Sequence, residues 1–270
     1  MLPLGSSFLT DAKPLRKFGQ NFLIDRHARD IMLQFAELSR SDIVLEVGPG
    51  TGFLTEALLA RAGRVVVVEK DPRLVNVLRA KCKGNRRLRI IEGDVLETEL
   101  PRFDKVVSSP PYYISSRLVL LLVSKRFRLA VLTLQKEFAE RLVARPGSSE
   151  YGRITVMVQH KSSVELAGVI QRDSFRPRPR VDSAVVLIRR KKPEIRVKNV
   201  RVFSDMVRFL FTQRRKKVKK VLRRYLDSVG YGAAAADVLR SLPDVRVFQL
   251  KISDFERLSN IIHEMRRESS

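Results

Sequence analysis

Short runs of Val, Ile and Leu recur through the first half of the chain, each followed by a segment whose apolar residues repeat every three to four positions. The runs at 43–47, 64–68, 88–91, 105–107 and 129–134 predict short buried strands. The segments at 53–61, 72–81, 117–124 and 136–144 predict the helices between them. Asp71 followed by Pro72 marks one helix start: a side chain that can accept free N–H groups, then a residue whose locked φ suits the first helical position. Strands alternating with helices predict an α/β fold on a mostly parallel sheet. The alternation then stops. Runs at 163–169 and 183–188 read as strands with the loop FRPRPR between them and no helix for a crossover, which predicts an antiparallel closing pair. Beyond Pro193 the periodicity is helical only, at about 203–212, 214–228, 233–239 and 253–266. The chain thus divides into a sheet domain, 1–192, and a small all-helical domain, 193–270.

Charge adds a partner to this outline. Against 29 acids stand 53 Lys and Arg, a net charge of +24 over 270 residues, and a folded chain so charged repels itself unless a polyanion is near. Sixteen of the cations fall between Arg189 and Arg224, where the only acids are Glu194 and Asp205. Arg214, Arg215, Lys216, Lys217, Lys219 and Lys220 place six cations in seven positions, which points to phosphate contact. A membrane surface is the rival polyanion, but the termini carry neither a basic amphipathic helix nor a lipidation signal. The apolar run 118–123 is far short of the roughly 20 residues that span a bilayer. A lone Cys82 and the lack of a secretion signal imply a reducing, cytoplasmic setting. His27, His160 and His263 are scattered, so no metal site is expected, and a monomer is.

The densest motif is IVLEVGPGTGFLT at 43–55, with glycines 48, 50 and 52 in the turn between the first of these strands and its helix. Such glycines let the backbone turn tightly and approach a ligand, as at a nucleotide site on a strand's C-terminal end. The spacing is neither the G-x-G-x-x-G dinucleotide fingerprint nor a phosphate-cradling P-loop. The next strand ends in Glu69, able to accept from both hydroxyls of a ribose, and the third in Asp94, which could face an adenine amine. A ligand with adenosine and no diphosphate fits: S-adenosylmethionine.

The fourth strand stops at Ser109-Pro110-Pro111-Tyr112-Tyr113. Together with KFGQNFLID (17–25), LEVGPGTGFLT (45–55), VEKD (68–71), GDVL (93–96), SSPPYYISS (108–116), FRPRPRVDS (175–183) and FTQRRKK (211–217), this resembles the ribosomal RNA small-subunit adenine-N6,N6-dimethyltransferase family. The motifs keep family order over nearly the whole chain. The resemblance implies a Rossmann-like class I methyltransferase sheet with a C-terminal helical domain. It also implies S-adenosylmethionine as cofactor, and small-subunit ribosomal RNA in a pre-ribosomal particle as partner. The cofactor-contacting positions it implies are Gln20, Asn21, Leu23, Gly48, Gly50, Glu69, Asp94 and Ser109.

Adenine N6 is a weak nucleophile because its lone pair is delocalised into the ring, and two acceptors on the amine hydrogens localise it. Where the family usually has Asn or Asp, this chain has Ser109, whose hydroxyl has a shorter reach. The carbonyl of Pro110 is the second candidate acceptor, in a Pro-Pro pair with fixed φ. Tyr112 is expected to stack on the extruded base with Phe175 on the opposite side, while Arg176, Arg178 and Arg180 grip the RNA around it. The alternatives are a large-subunit adenine-N6 methyltransferase and a non-catalytic RNA-binding ribosome-assembly factor.

Overall fold

The computed structural model describes residues 19–232 and 235–268. In chain order its elements are β1 (Phe22–Leu23), α1 (Arg26–Ala36), β2 (Ile43–Val47), α2 (Phe53–Arg61), β3 (Arg64–Glu69), α3 (Pro72–Lys81), β4 (Leu88–Glu92), β5 (Lys105–Ser108), α4 (Ser115–Ser124) and β6 (Leu129–Gln135). Then follow α5 (Lys136–Val143), α6 (Arg153–Gln159), β7 (Ser162–Ile170), β8 (Phe175–Arg176), β9 (Ser183–Arg190), α7 (Val200–Phe211), α8 (Val218–Ser228), α9 (Ala235–Arg240) and α10 (Ile252–Glu268).

Seven strands form one sheet in the order β4-β3-β2-β5-β6-β9-β7. The strands from β4 to β6 run parallel, and β9 closes antiparallel against β6, with Leu132 opposite Val186. From β2 the chain builds outward through β3 and β4, then returns to lay β5 on the other side of β2. That reversal is the topological switch point, and ligands of open α/β sheets bind beyond the strand ends there. The glycine turn after β2 and the Ser109-Pro110 turn after β5 are therefore neighbours because of strand order, 60 residues apart in sequence.

Four elements were not foreseen. Helix α1 is capped by Asp25, whose side chain accepts the His27 N–H, and buries Ala28, Met32, Leu33 and Ala36. Helix α6 is one short piece. The ribbon β1–β8 pairs Phe22 with Arg176 and Leu23 with Phe175, fixing the N-terminal segment to the loop before β9.

The described residues form two compact units. The first holds those up to Ala139 together with Val164–Arg190, and its core joins Met32, Leu58, Val67, Val131 and Val185. The second holds Glu140–Ser163 and those from Lys191 on, so it takes in residues upstream of the 192/193 division. Its core is built on Phe203, Met206, Leu222 and Phe255, with Tyr151 donating to the Leu250 carbonyl at 2.9 Å.

Helix α8 starts at Val218, four residues later than the periodicity predicts. The backbone of the preceding turn is taken by residues 245–248: Val247 N–H donates to the Lys216 carbonyl, Phe248 N–H to Arg214, and Val218 N–H to Val245. The helix predicted at 233–239 is observed as α9, and residues 233 and 234 lie outside the described ones, as do Lys17 and Phe18 of the KFGQNFLID motif. Among the described residues no helix is long and apolar enough to cross a membrane, and no three His, Cys, Asp or Glu gather as metal ligands would.

Candidate functional site

The parallel strands carry their carboxylates to one place. Glu46 lies in β2, Glu69 ends β3, and Asp94 follows β4, all at the C-terminal side of the sheet. Three adjoining clefts meet at Gly48. The central one is lined by Gln20, Asn21, Gly48, Gly50, Glu69 and Ser109 among others, so six of the positions expected to meet a cofactor share one cleft. Asp94 lines the cleft beside it and Leu23 the third.

Each carboxylate is held differently. Oε1 of Glu69 accepts the Asp71 N–H at 2.9 Å and Oε2 the Gly50 N–H at 3.3 Å. The glycine turn thus aims the acid, and each oxygen keeps a lone pair for a ligand hydroxyl. Burial lifts the Glu69 carboxyl above its ordinary range, against the pull of those N–H groups. Glu46 is fully buried, which pushes its carboxyl up to about 8 although the Thr55 hydroxyl donates to it at 2.7 Å. At neutral pH it is therefore mostly protonated, a neutral carboxyl that can donate as well as accept a hydrogen bond. Asp94 accepts the Leu96 N–H at 2.9 Å and the Lys70 ammonium at 2.9 Å, contacts that hold it below its ordinary value.

Close approach explains the glycine at 48. Its φ of 66° lies in the left-handed region, and a Cβ there would stand 2.9 Å from Cδ of Pro111. Only glycine lets the turn after β5 close on the turn after β2. Gln20 joins from the N-terminal side, donating to Asp71 at 3.0 Å, which ties that segment to the start of α3. Ser108 is a fastening residue: its buried hydroxyl donates to the Val47 carbonyl at 2.6 Å. Ser109, one position on, lines the cleft.

The base pocket departs from expectation at Phe175. The Tyr112 and Phe175 rings meet edge-on, centroids 6.3 Å apart and planes inclined at 69°, and Phe175 is 2% exposed within the sheet unit's core. No slot for a base lies between them. Pairing with Leu23 in the β1–β8 ribbon draws Phe175 inward, where it backs the Tyr112 ring. The Tyr112 hydroxyl sits 2.5 Å from the Ser183 hydroxyl, and burial raises its phenol above the ordinary value, so it stays protonated and is no base at neutral pH. Tyr113, which sequence reasoning passed over, lines two of the three clefts. Its signal was weak, an aromatic doubled beside a motif residue.

The cations also divide. Arg176, Arg178 and Arg180 are exposed, with Arg178 paired to exposed Asp173 at 2.7 Å. In the second unit Arg214 turns inward, donating to the carbonyls of Ser149 at 2.8 Å and Ser148 at 3.2 Å, with its guanidinium over the Phe248 ring. Lys217 is paired with Asp244 at 2.7 Å. Arg215 and Lys216 are exposed, and Lys219, Lys220 and Arg223 of α8 line a groove with Arg240 of α9 that no described acid enters. Arg214 is thus engaged with its own unit's loop carbonyls, while Lys217 remains exposed beside Asp244.

The family model for ribosomal RNA adenine dimethylase matches residues 12–264. The "Probable ribosomal RNA small subunit methyltransferase A" of Thermococcus onnurineus is 43% identical over 256 residues, 90% of this chain and 93% of its own. A crystal structure of a dimethyladenosine transferase from Plasmodium falciparum shares 29% identity at a TM-score of 0.78, covering 92% of this chain and 98% of that one. The 23S rRNA methyltransferase ErmE shares 31% at a TM-score of 0.66, over 88% and 98%.

Proposed function

This chain belongs to the ribosomal RNA adenine dimethylase family, and from that premise we propose that it dimethylates N6 of two adjacent adenosines near the 3′ end of small-subunit ribosomal RNA during subunit assembly. The observation that carries the reading is the alignment of Glu46, Glu69 and Asp94 along adjoining clefts at the switch point, beside the Ser109–Tyr112 turn. S-adenosylmethionine fits that donor set, since it offers an ammonium, a ribose diol and an adenine amine to three carboxyl groups; when bound, it supplies a methyl group on a sulfonium.

The chain's own residues do the rest. Glu69 holds the ribose hydroxyls through the lone pairs left by Gly50 and Asp71, and Asp94 takes the adenine amine. Ser109 Oγ and the Pro110 carbonyl accept the two hydrogens of the target N6, and Tyr112, backed by Phe175, stacks on the base. Arg215, Lys216, Lys219, Lys220 and Arg223 contact RNA phosphates, as do Arg176, Arg178 and Arg180. The large-subunit alternative ranks behind, because ErmE superposes less closely than the dimethyladenosine transferase and the 43% relative carries a small-subunit name. Mapping the methylated positions on ribosomal RNA by primer extension tests the reading. Adjacent dimethyladenosines near the small-subunit 3′ end are expected, and methylation confined to large-subunit RNA, or none, overturns it.

Glu69→Ala should lose about 1.5–3 kcal/mol of charge-assisted hydrogen bonding. Calorimetric titration with S-adenosylhomocysteine should then show affinity down by about ten- to a hundredfold. Unchanged affinity removes Glu69 from the site.

Replacing Arg215, Lys216, Lys219 and Lys220 with Gln should weaken RNA binding and flatten its salt dependence by about 0.7–0.9 of a log unit per lost phosphate contact. Arg214→Ala should act differently, lowering the melting temperature of the second unit, whose loop carbonyls at Ser148 and Ser149 it satisfies. A salt slope that the fourfold variant leaves unaltered would make these side chains a solvated surface.

A further inference from the structure

Tyr112 and Tyr113 are consecutive, and the chain sends them to different places. They open the single turn Tyr112–Ile114, which has three residues per turn, so successive side chains diverge by about 120°. Tyr112 is tied to Ser183 and Phe175. Tyr113 is 51% exposed, yet it lines both the cleft containing Gly48, Gly50 and Glu69 and the one containing Asp94 and Val95. An aromatic face left half in water at the rim of a cleft that holds Glu69 and Asp94 is a surface open to a flat ligand.

Its other edge rests on the N-terminal segment. Gly19 has φ of 53°, and a Cβ there would stand 2.9 Å from Cδ1 of Tyr113. The absence of that one carbon lets the ring lie against the backbone. Residue 19 is itself held in place: Gln20 donates to Asp71 at 3.0 Å, and Phe22 and Leu23 pair with β8. Two chain segments, one anchored beside β3 and one continuing from β5, therefore meet over the cleft at a Gly19–Tyr113 seam.

We propose that Tyr113 is a cofactor-binding residue whose ring covers the adenosyl half of S-adenosylmethionine, and that the Gly19–Tyr113 seam sets how fast the spent cofactor leaves. The inference rests on the cofactor reading above. The two tyrosines then divide the pocket, Tyr112 for the target base and Tyr113 for the cofactor. Since each dimethylation consumes two cofactors, release through this seam is passed twice per adenosine.

The chain contains no tryptophan, so Tyr113→Trp supplies a sole indole reporter at the seam. Its fluorescence should shift or quench on titration with S-adenosylhomocysteine, with the same midpoint as calorimetry. In a chase of tritiated S-adenosylhomocysteine, Tyr113→Ala should speed dissociation by about tenfold or more, in the range of one aromatic stack, while Tyr113→Phe stays within about twofold of wild type. Gly19→Ala, which props the ring outward, should also release faster. Melting temperatures of the Tyr113 variants should match wild type, because the side chain is half exposed. An indole signal that ignores binding seen by calorimetry, or an unchanged dissociation rate in Tyr113→Ala, overturns the proposal alone. Wild-type protein that fails to bind S-adenosylhomocysteine overturns it together with the cofactor reading.

Discussion

Asp42→Ala should lower the stability of the sheet unit by about 3–5 kcal/mol, because it removes the carboxylate paired with the buried Lys105 ammonium. Asp42 is fully buried just before β2. Its carboxylate accepts the Ser39 N–H at 2.8 Å, pairs with Lys105 at 3.1 Å and meets the Arg128 guanidinium. Its backbone carbonyl takes the N–H groups of Gly63 and Arg64, at the start of β3. Lys105, at the start of β5, also donates to the carbonyls of Ala36 and Glu37, where α1 ends. One acid thus fastens β2, β3, β5, β6 and α1 at the strand ends opposite the clefts. With Asp42 gone, Lys105 keeps its carbonyl partners and loses its counter-charge. At a few degrees per kcal/mol, the melting temperature should fall on the order of 10 °C by circular dichroism. Asp42→Ala/Lys105→Met should recover part of the loss, since deleting both members of a buried pair is milder than deleting one. A shift of less than about 2 °C would refute the account. Burial alone would push the Asp42 carboxyl up, but the Ser39 N–H and Lys105 outweigh it and hold it below the ordinary value. A depressed folded-state pKa stabilises at pH above the unfolded value, so this contribution should fade as the solution is acidified below about pH 4.

What the sequence reveals and hides follows from the range of the forces involved. Helix α3 is observed at the residues predicted, Pro72–Lys81, because its start is local chemistry: the Asp71 side chain accepts the Arg73 N–H and proline follows. The strands are found in place because Val and Ile runs buried on both faces have few other uses. Helix α1 is legible in principle, since Asp25 caps it and Ala28, Met32 and Ala36 repeat every four residues, but its cap is the last residue of the KFGQNFLID motif, which masks the periodicity. The β1–β8 ribbon was not legible, because two-residue strands 153 positions apart leave no pattern, and with it went the correct place of Phe175. The first turn of α8 misled for a related reason: Arg214 to Lys217 look helical by propensity, yet their carbonyls and two side chains bind residues 148–149 and 244–248. Glu69 and Asp94 were legible because they stand at or just past a strand end, whereas Glu46, inside β2, came only from the fold. The identity of the cleft's fourth wall, Tyr113, came only from the fold.

Tyr112→Ala should cut single-turnover methylation by about a hundredfold or more while affinity for S-adenosylhomocysteine stays within about twofold. The ring is clamped from behind by the Ser183 hydroxyl and the edge of Phe175, so its position is set before any base arrives. Truncation removes a stacking face worth about 1–3 kcal/mol. It also frees the turn that carries the Pro110 carbonyl, and misplacing a reacting group by about 1 Å can cost a hundredfold by itself. Tyr112→Phe keeps the face and loses only the hydrogen bond to Ser183, so its rate should fall by no more than about tenfold. Ser109 gives the sharper test of chemistry. With Ser108 committed to Val47, Ser109 is the hydroxyl left to meet the amine, and Ser109→Ala should slow the chemical step by about tenfold in single-turnover assays, where product release cannot mask it. Ser109→Asn, which installs an acceptor of longer reach, should methylate at least as fast as wild type. If Ser109→Ala reacts at the wild-type rate, the Pro110 carbonyl suffices and Ser109 is no acceptor. If Tyr112→Ala does, the base is held elsewhere and the partition of the two tyrosines fails with it.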